Sequence, residues 1–444
     1  MEVQKKFVGV LIAGLCSGPV LADDLLGLLA EAKLADPVYS GAGFEREASE
    51  EGVTQARARL FPSASFSWEE KETDQDIKET DNNVFASGKA SFDTSTYSLS
   101  LSQSVFDYER WIRLSQSKVT LSRFDERLEQ AIQDLLLRLS ERYFEQLKTR
   151  EQLAAVAAEK EALQQHLEYA EKALKAGLGR PAEVYDAEAR YLAAVAREIE
   201  FEKAYSDAQY NLKEIIGRAP GTLAPIKDDV PLLNPDPMSV EEWISRGLDS
   251  NPDVRIQLKA VEEAEYEIKA QRGGHFPTFT LTYDDFREDT DGSLFGGGSD
   301  VDTEELALRF EVPIYQGGAV NSRRREAEKQ MLKAQEDLEL ARRSVENQAQ
   351  SSYRGVVANI AQIEALKKTV DAQKSVLETR QKGFQSGIYS FIRVLDAQND
   401  LAAAQQAYAE ARNDYAINYI RLKRAAGILV EEDLRAVNSW LDQI

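Results

Sequence analysis

Phe61-Pro62-Ser63-Ala64-Ser65-Phe66-Ser67-Trp68 and Phe276-Pro277-Thr278-Phe279-Thr280-Leu281-Thr282-Tyr283 stand 215 positions apart and share one grammar. Each opens on an aromatic residue followed by proline, then alternates small hydroxyl residues with apolar ones. A period of two puts the two sets on opposite faces of a β-strand. Working outward, the whole chain proves to be written twice. Asp36-Pro37 recurs as Asn251-Pro252, also 215 positions on. Leu101-Ser102-Gln103-Ser104-Val105-Phe106 aligns with Phe310-Glu311-Val312-Pro313-Ile314-Tyr315 at an offset of 209. Lys175-Ala176-Gly177-Leu178 matches Gln385-Ser386-Gly387-Ile388, and Leu212-Lys213 with Gly217 matches Leu422-Lys423 with Gly427, both at 210. The change of offset falls between the two strand motifs, where a hairpin loop absorbs it.

Each copy has the same order of parts. A helix begins at Asp36 or Asn251, whose side chain can accept the first free N–H groups, with Pro37 or Pro252 at the first helical position. Two strand-like runs follow, separated by acidic, turn-rich stretches over 69–83 and 284–305 that read as exposed loops. Next comes a long helical stretch. Tyr108 to Lys175 contains no proline or glycine, and Ala319 to Lys382 contains only Gly355. Leu121, Phe124, Leu128, Ala131, Leu135 and Leu139 keep steps of three and four, as do Val345, Ala349, Ser352, Val356, Ile360, Ile363, Leu366 and Val370. That is seam packing of a coiled-coil kind, over roughly 100 Å at about 1.5 Å per residue. The expected domains are a signal peptide over 1–22; a first repeat over 23–217 with a hairpin about 61–106, a long helix about 107–176 and a return helix about 181–217; a proline-rich linker over 218–240; a second repeat over 241–427 with a hairpin about 277–315, a long helix about 318–386 and a return helix about 391–427; and a C-terminal segment over 428–444.

The leader reading rests on Lys5 and Lys6 before the apolar run Phe7 to Leu15, then Val20-Leu21-Ala22 as a small-residue cleavage site. Cys16, the only cysteine, lies inside it. Acylation at Cys16 is the alternative, with bulky Leu15 standing where lipidation sites want a small residue. Cleavage after Ala22 leaves a chain without thiol chemistry. The 76 acidic against 54 basic residues argue against a nucleic-acid partner. The two histidines, His166 and His275, lie far apart, and no metal-ligand spacing, nucleophile elbow or phosphate-cradling loop appears. The glycines Gly296-Gly297-Gly298 precede no helix and read as flexible punctuation. The expectation is a non-enzyme without cofactor or metal.

The strand faces carry the functional reading. Ser and Thr on one face are small and suit a lumen, whereas Tyr97, Leu99, Leu101, Phe279, Leu281, Tyr283, Leu306, Leu308 and Phe310 on the other suit lipid. Trp68 and Tyr283 hold equivalent places, where an interfacial aromatic belt sits. Four strands cannot close a barrel, and an open edge in hydrocarbon leaves backbone groups unpaired at several kcal/mol each. Several chains must then share one barrel: two give eight strands, three give twelve. A periplasmic coiled-coil scaffold is the rival reading, and it has no need of a lipid-like strand face.

The stretch Gly383-Phe384-Gln385-Ser386-Gly387-Ile388-Tyr389-Ser390-Phe391-Ile392-Arg393-Val394-Leu395-Asp396-Ala397-Gln398 resembles the second helix turn of the TolC family of outer-membrane efflux and secretion proteins. Asn251-Pro252, Phe276-Pro277 and Val312-Pro313-Ile314-Tyr315-Gln316-Gly317-Gly318 are further family-like signatures, and the resemblance spans about Asp23 to Gly427. It implies a mostly helical fold with a small β part. It also implies a homotrimer whose shared 12-stranded β-barrel crosses the outer membrane, above a periplasmic helical tunnel. The implied partners are a periplasmic membrane-fusion adaptor, an inner-membrane ABC or proton-driven transporter, and outer-membrane lipid. The turns at Gly177 and Gly387 would form the periplasmic mouth, with Asp396 at an acidic ring position and Glu183 at a linking position. Arg393 stands where the family's other acidic ring residue is found, and Tyr389 where a linking basic residue is common. Arg393 is expected to pair with Glu183 or Asp396 to hold the mouth closed; three solvated charges are the alternative. The cargo, protein or small toxic compound, is not written in the duct.

Overall fold

The structure is a computed structural model and describes residues 23–79, 88–292 and 297–442. The expected leader, Cys16 and Gly296 lie outside the described residues. The chain divides into two compact units. Of the described residues, one takes those up to Ser40, Ile132–Gly247 and those from Asn347 onward; the other takes those within Gly41–Ala131 and Leu248–Glu346.

The second unit holds the sheet. Strands β1 (Ser63–Ile77), β2 (Gly88–Phe106), β3 (Thr278–Thr290) and β4 (Ser299–Glu311) pair antiparallel in the order β1-β2-β3-β4. The hairpins are longer than the sequence reading allowed. The segments 69–77, 284–290 and 299–305, expected as loops, continue the ladder. Charged residues do not stop a strand whose backbone groups already have partners, because β-propensity yields to pairing context. Arg287 also bridges to Asp300 on the facing strand. In the same unit, helix α2 (Pro37–Ala58) leads into the sheet, and α6 (Pro252–Arg272) occupies its place in the second copy. Asn251 caps α6, its Oδ1 accepting the Asp253 N–H at 2.8 Å. The core here is small: Val254 and Val261 of α6 pack on Leu338 and Val345 of the long helix α7 (Ala319–Gln385).

The first unit holds the larger core. Helix α1 (Leu25–Ala35) buries Leu25, Leu28 and Leu29 against Leu135, Leu139 and Phe144 of α3 (Tyr108–Lys175). The return helices are α4 (Pro181–Ile216) and α8 (Phe391–Ala425), with α5 (Val240–Ser250) and α9 (Glu431–Asn438) completing the set. The expected seam residues Leu135, Leu139, Val356 and Ile363 are at most 3 % exposed. Each buried aliphatic chain of this size stabilises by about 1.5–3 kcal/mol. Gly355, in the middle of α7, lets α8 approach: a Cβ there would stand 3.0 Å from Asn418 Nδ2. Asn418 in turn donates to Asn359 at 2.7 Å.

The proline-rich segment after α4 is pinned rather than loose. Tyr143 Oη donates to the Ala224 carbonyl at 2.8 Å, Leu233 N–H donates to Tyr415 Oη at 2.9 Å, and Arg412 donates to the Lys227 carbonyl at 2.6 Å. Burial drives the Tyr143 phenol pKa well up. The C-terminal segment joins this clasp: Trp440 stacks on Tyr415 at 5.5 Å, and its carbonyl accepts from Lys227 N–H at 2.8 Å.

Candidate functional site: helix turns and strand face

The two long helices end in the same way. Gly177 adopts φ 73° and Gly387 φ 75°, the left-handed region where a side chain costs about 1 kcal/mol. Gly177 N–H donates to the Leu174 carbonyl and Leu178 N–H to that of Ala173. Gly387 and Ile388 repeat the pattern on Phe384 and Gly383. These paired bonds satisfy the last orphan carbonyls of the helix.

The copies differ one turn further on. In the second, a Cβ on Gly383 would overlap the ring of Tyr389, whose Cδ2 and Cε2 stand closest to that glycine. In the first, the matching positions are Ala173 and Gly179, and a Cβ on Gly179 would stand 3.3 Å from Ala173 Cβ. A bulky residue at one position thus goes with glycine at the other. Tyr389 is therefore committed to packing within its own turn.

Of the remaining turn residues, Glu183 reaches back to the Arg180 backbone N–H at 3.4 Å, closing the first turn of α4. Asp186 pairs with Arg190 at 3.0 Å. The Arg393 carbonyl accepts from Arg380 Nη1 at 3.2 Å. Among the described residues of the single chain, no ion pair joins Arg393 to Glu183 or Asp396, so the expected pairing is not made within one chain. Arg393 and Glu183 are exposed and Asp396 is half-buried.

Above the turns, within the same unit, a groove of 710 Å³ lies between α3, α7 and α8. Its floor is alanine: Ala155, Ala158 and Ala162 of α3 with Ala402 and Ala409 of α8. Burial lifts the carboxyl pKa of Glu151 at its edge, opposed by the Arg412 and Arg150 guanidiniums. The sequence reading missed this groove, although Ala-x-x-Ala spacings on two helices were visible. It set His166 aside for lack of any ligand spacing; the residue is 8 % exposed and stacked parallel on Phe391 at 5.5 Å.

The strand register decides the second candidate surface. Phe66 faces Leu99, Trp68 faces Tyr97, Leu101 faces Tyr283, Leu281 faces Leu308 and Phe279 faces Phe310. Directly opposed residues share a face, so all nine residues expected to meet lipid lie on one side. Ser63, Ser65, Ser98, Ser100, Ser102, Thr280 and Thr282 lie on the other, where Phe286 is an aromatic exception. The apolar side is open: Phe66 is 69 % and Leu306 72 % exposed.

Its upper limit is not parallel to the ladder rows. It drops from the Trp68–Tyr97 pair on β1 and β2 to the Tyr283–Leu306 pair on β3 and β4, four residues along β2. Four residues advance about 13 Å while two strand spacings cover about 10 Å. The boundary is thus inclined at roughly 50°, close to the tilt of strands in a membrane barrel.

A polar lumen-like face, a tilted apolar face and paired coils define an outer-membrane channel subunit. The model of the outer membrane efflux protein family matches residues 28–218 and 243–428, one match on each copy, and the chain belongs to that family. The protein is thus an exit duct of the outer membrane, with its helical part in the periplasm. Outer membrane protein TolC of Escherichia coli (strain K12) is 30 % identical over 432 residues, 95 % of this chain and 86 % of that protein. The proteases secretion protein PrtF of Dickeya chrysanthemi is 26 % identical over 98 % of this chain and 95 % of its own. The Campylobacter jejuni CmeC outer membrane channel superposes with a TM-score of 0.76 at 14 % identity, covering 100 % of this chain and 98 % of that one.

Proposed function

We propose that three copies of this chain close one twelve-stranded barrel, and that their helices continue it as a passive periplasmic conduit. The observation that carries this is the pair of open edges: among the described residues, β1 pairs only with β2, and β4 only with β3. In hydrocarbon such edges cost several kcal/mol per unpaired group, and neighbouring copies remove that cost. The nine apolar strand residues from Tyr97 to Phe310 then meet lipid, and the serine and threonine face lines the pore. The test is electrophoresis of outer-membrane extracts. A trimer-sized band that collapses to monomer on boiling is expected; monomer at every temperature, or material found only in the soluble periplasm, refutes the reading.

The energy for transport comes from an inner-membrane transporter, ABC or proton-driven, coupled through a periplasmic adaptor. The alanine floor of the 710 Å³ groove suits the adaptor, because small residues let a partner helix approach closely. The similarity favours a polypeptide cargo. The Dickeya chrysanthemi and Pseudomonas aeruginosa protease-secretion proteins align over 98 % and 93 % of this chain, the Brucella suis efflux protein BepC over 77 %, and the Pseudomonas putida solvent and toluene efflux proteins over 46 %. The periplasmic mouth is closed by the turns at Gly177 and Gly387. There, Arg393 of one copy pairs with Glu183 or Asp396 of its neighbour, interleaving charges that would otherwise repel around the axis. Single-channel recording of Arg393→Ala is expected to show a larger conductance or longer open time than wild type; unchanged traces remove Arg393 from the gate.

A further inference from the structure

His166 and Phe391 come from different copies of the repeat. His166 is on α3, nine residues before the end of that helix at Lys175, and Phe391 is the first residue of α8, straight after the Gly387 turn. Their rings stack at 5.5 Å with planes 9° apart. Tyr169 and Phe384 complete an aromatic cluster around Phe391 at 6.2 and 5.7 Å. Leu163, Ala194 and Leu395 form the small core beside it. His166 Nδ1 is buried there with no hydrogen-bond partner among the described residues. A proton on Nδ1, as the imidazolium requires, would place an N–H where no acceptor among the described residues waits.

The charges acting on the ring come from α4: Arg190 disfavours the imidazolium and Asp186 favours it, and these two are paired with each other. From α8 the ring meets the uncharged Phe391. Burial is the largest influence and holds the imidazole pKa below its ordinary value, with Arg190 adding to the effect. At the equivalent position of the second copy stands Val376, which cannot titrate.

We propose that His166 is a proton-operated latch, whose neutral ring ties the α3–α4 coil to the start of α8 and whose protonation frees the Gly387 turn and opens the mouth. The sign follows from linkage. A group held neutral by the packed state binds fewer protons there than in the released state, so the packed state loses stability as pH falls through the ordinary imidazole range near 6.5. Free carboxylates titrate at about 4, below this window; Glu151, whose carboxyl pKa burial lifts, is retained in the His166→Phe control and is separated from the latch by it. The latch rests on the exit-duct reading above.

The full-length trimer in a planar bilayer tests it, with only the periplasmic bath moved from pH 7.5 to 5.5. The open fraction is expected to rise by up to about tenfold per pH unit for each His166 that titrates. His166→Phe keeps the stacking without the proton, so it should stay closed at both pH values. His275→Phe, at the only other imidazole, should respond like wild type. Conducting pores that ignore pH, or a His166→Phe pore that keeps the acid response, overturn the latch alone. If no conducting insertion occurs at any pH, the duct reading falls and the latch with it.

Discussion

At residue scale the two helix turns show how duplication tolerates divergence. Gly177 and Gly387 are held by backbone geometry: each ends a helix with positive φ, and any other residue is strained. Gly387→Ala should therefore cost about 1 kcal/mol, read as a lowered midpoint of thermal unfolding. Gly383 is held by a neighbour instead, since the Tyr389 ring occupies the space of its missing Cβ. Gly383→Ala should cost about 1 kcal/mol or more through overpacking. The cost should largely vanish in a Tyr389→Gly background, which reproduces the Ala173–Gly179 arrangement of the first copy. Equal costs in both backgrounds would show that the ring moves aside freely.

At the scale of elements, the sheet and the helices obey different solvents. Leu99 and Ser100 are adjacent on β2 but face opposite sides. Leu99→Arg should weaken insertion into bilayers by about 2–4 kcal/mol, the cost of a cation on a lipid face. Ser100→Arg should cost far less; folding titrations into lipid vesicles distinguish the two. Where α3 meets α6, Arg113 Nη2 and Gln271 Nε2 reach Glu267 at 3.1 and 2.7 Å. Burial alone would raise the Glu267 pKa, but Arg113, Gln271 and Gln116 reverse this and hold it at about 2. A carboxylate with a depressed folded-state pKa stabilises above its unfolded value of about 4.3. That contribution fades as pH falls toward 2. Glu267→Gln should therefore flatten the loss of thermal stability between pH 5 and pH 3, and an unchanged acid limb would show that the pair contributes nothing.

For the whole molecule, the termini and the mid-chain linker form a clasp that neither repeat contains. Arg218 bridges Asp23 at 3.1 Å and Glu31 at 2.7 Å, Leu25 N–H donates to Asn438 Oδ1 at 2.9 Å, and Trp440 packs between Tyr415 and Tyr419. Trp440→Ala should cost about 3–5 kcal/mol through the cavity it leaves. It should also raise proteolysis within the linker, whose Lys227 backbone it holds. Cleavage confined to the C-terminal tail would mean the linker is held without it.

The sequence by itself determined the repeat, the helix ends and the alternation of the strands. Those signals are local: a glycine that needs positive φ, a proline after Asp36 or Asn251, a period of two or of three and four. What the strand faces would meet was legible too, because Ser and Thr opposite Leu, Phe and Tyr separate a lumen from lipid. Tertiary structure alone decided the length of the hairpins, since pairing overrides the loop-like composition of 69–77 and 284–290. It also decided the incline of the apolar boundary, which depends on the register between strands roughly 180 residues apart. The burial of His166 against Phe391 belongs there as well. A histidine in a charged helical stretch looks solvated until the turn that follows α7 brings an aromatic ring over it.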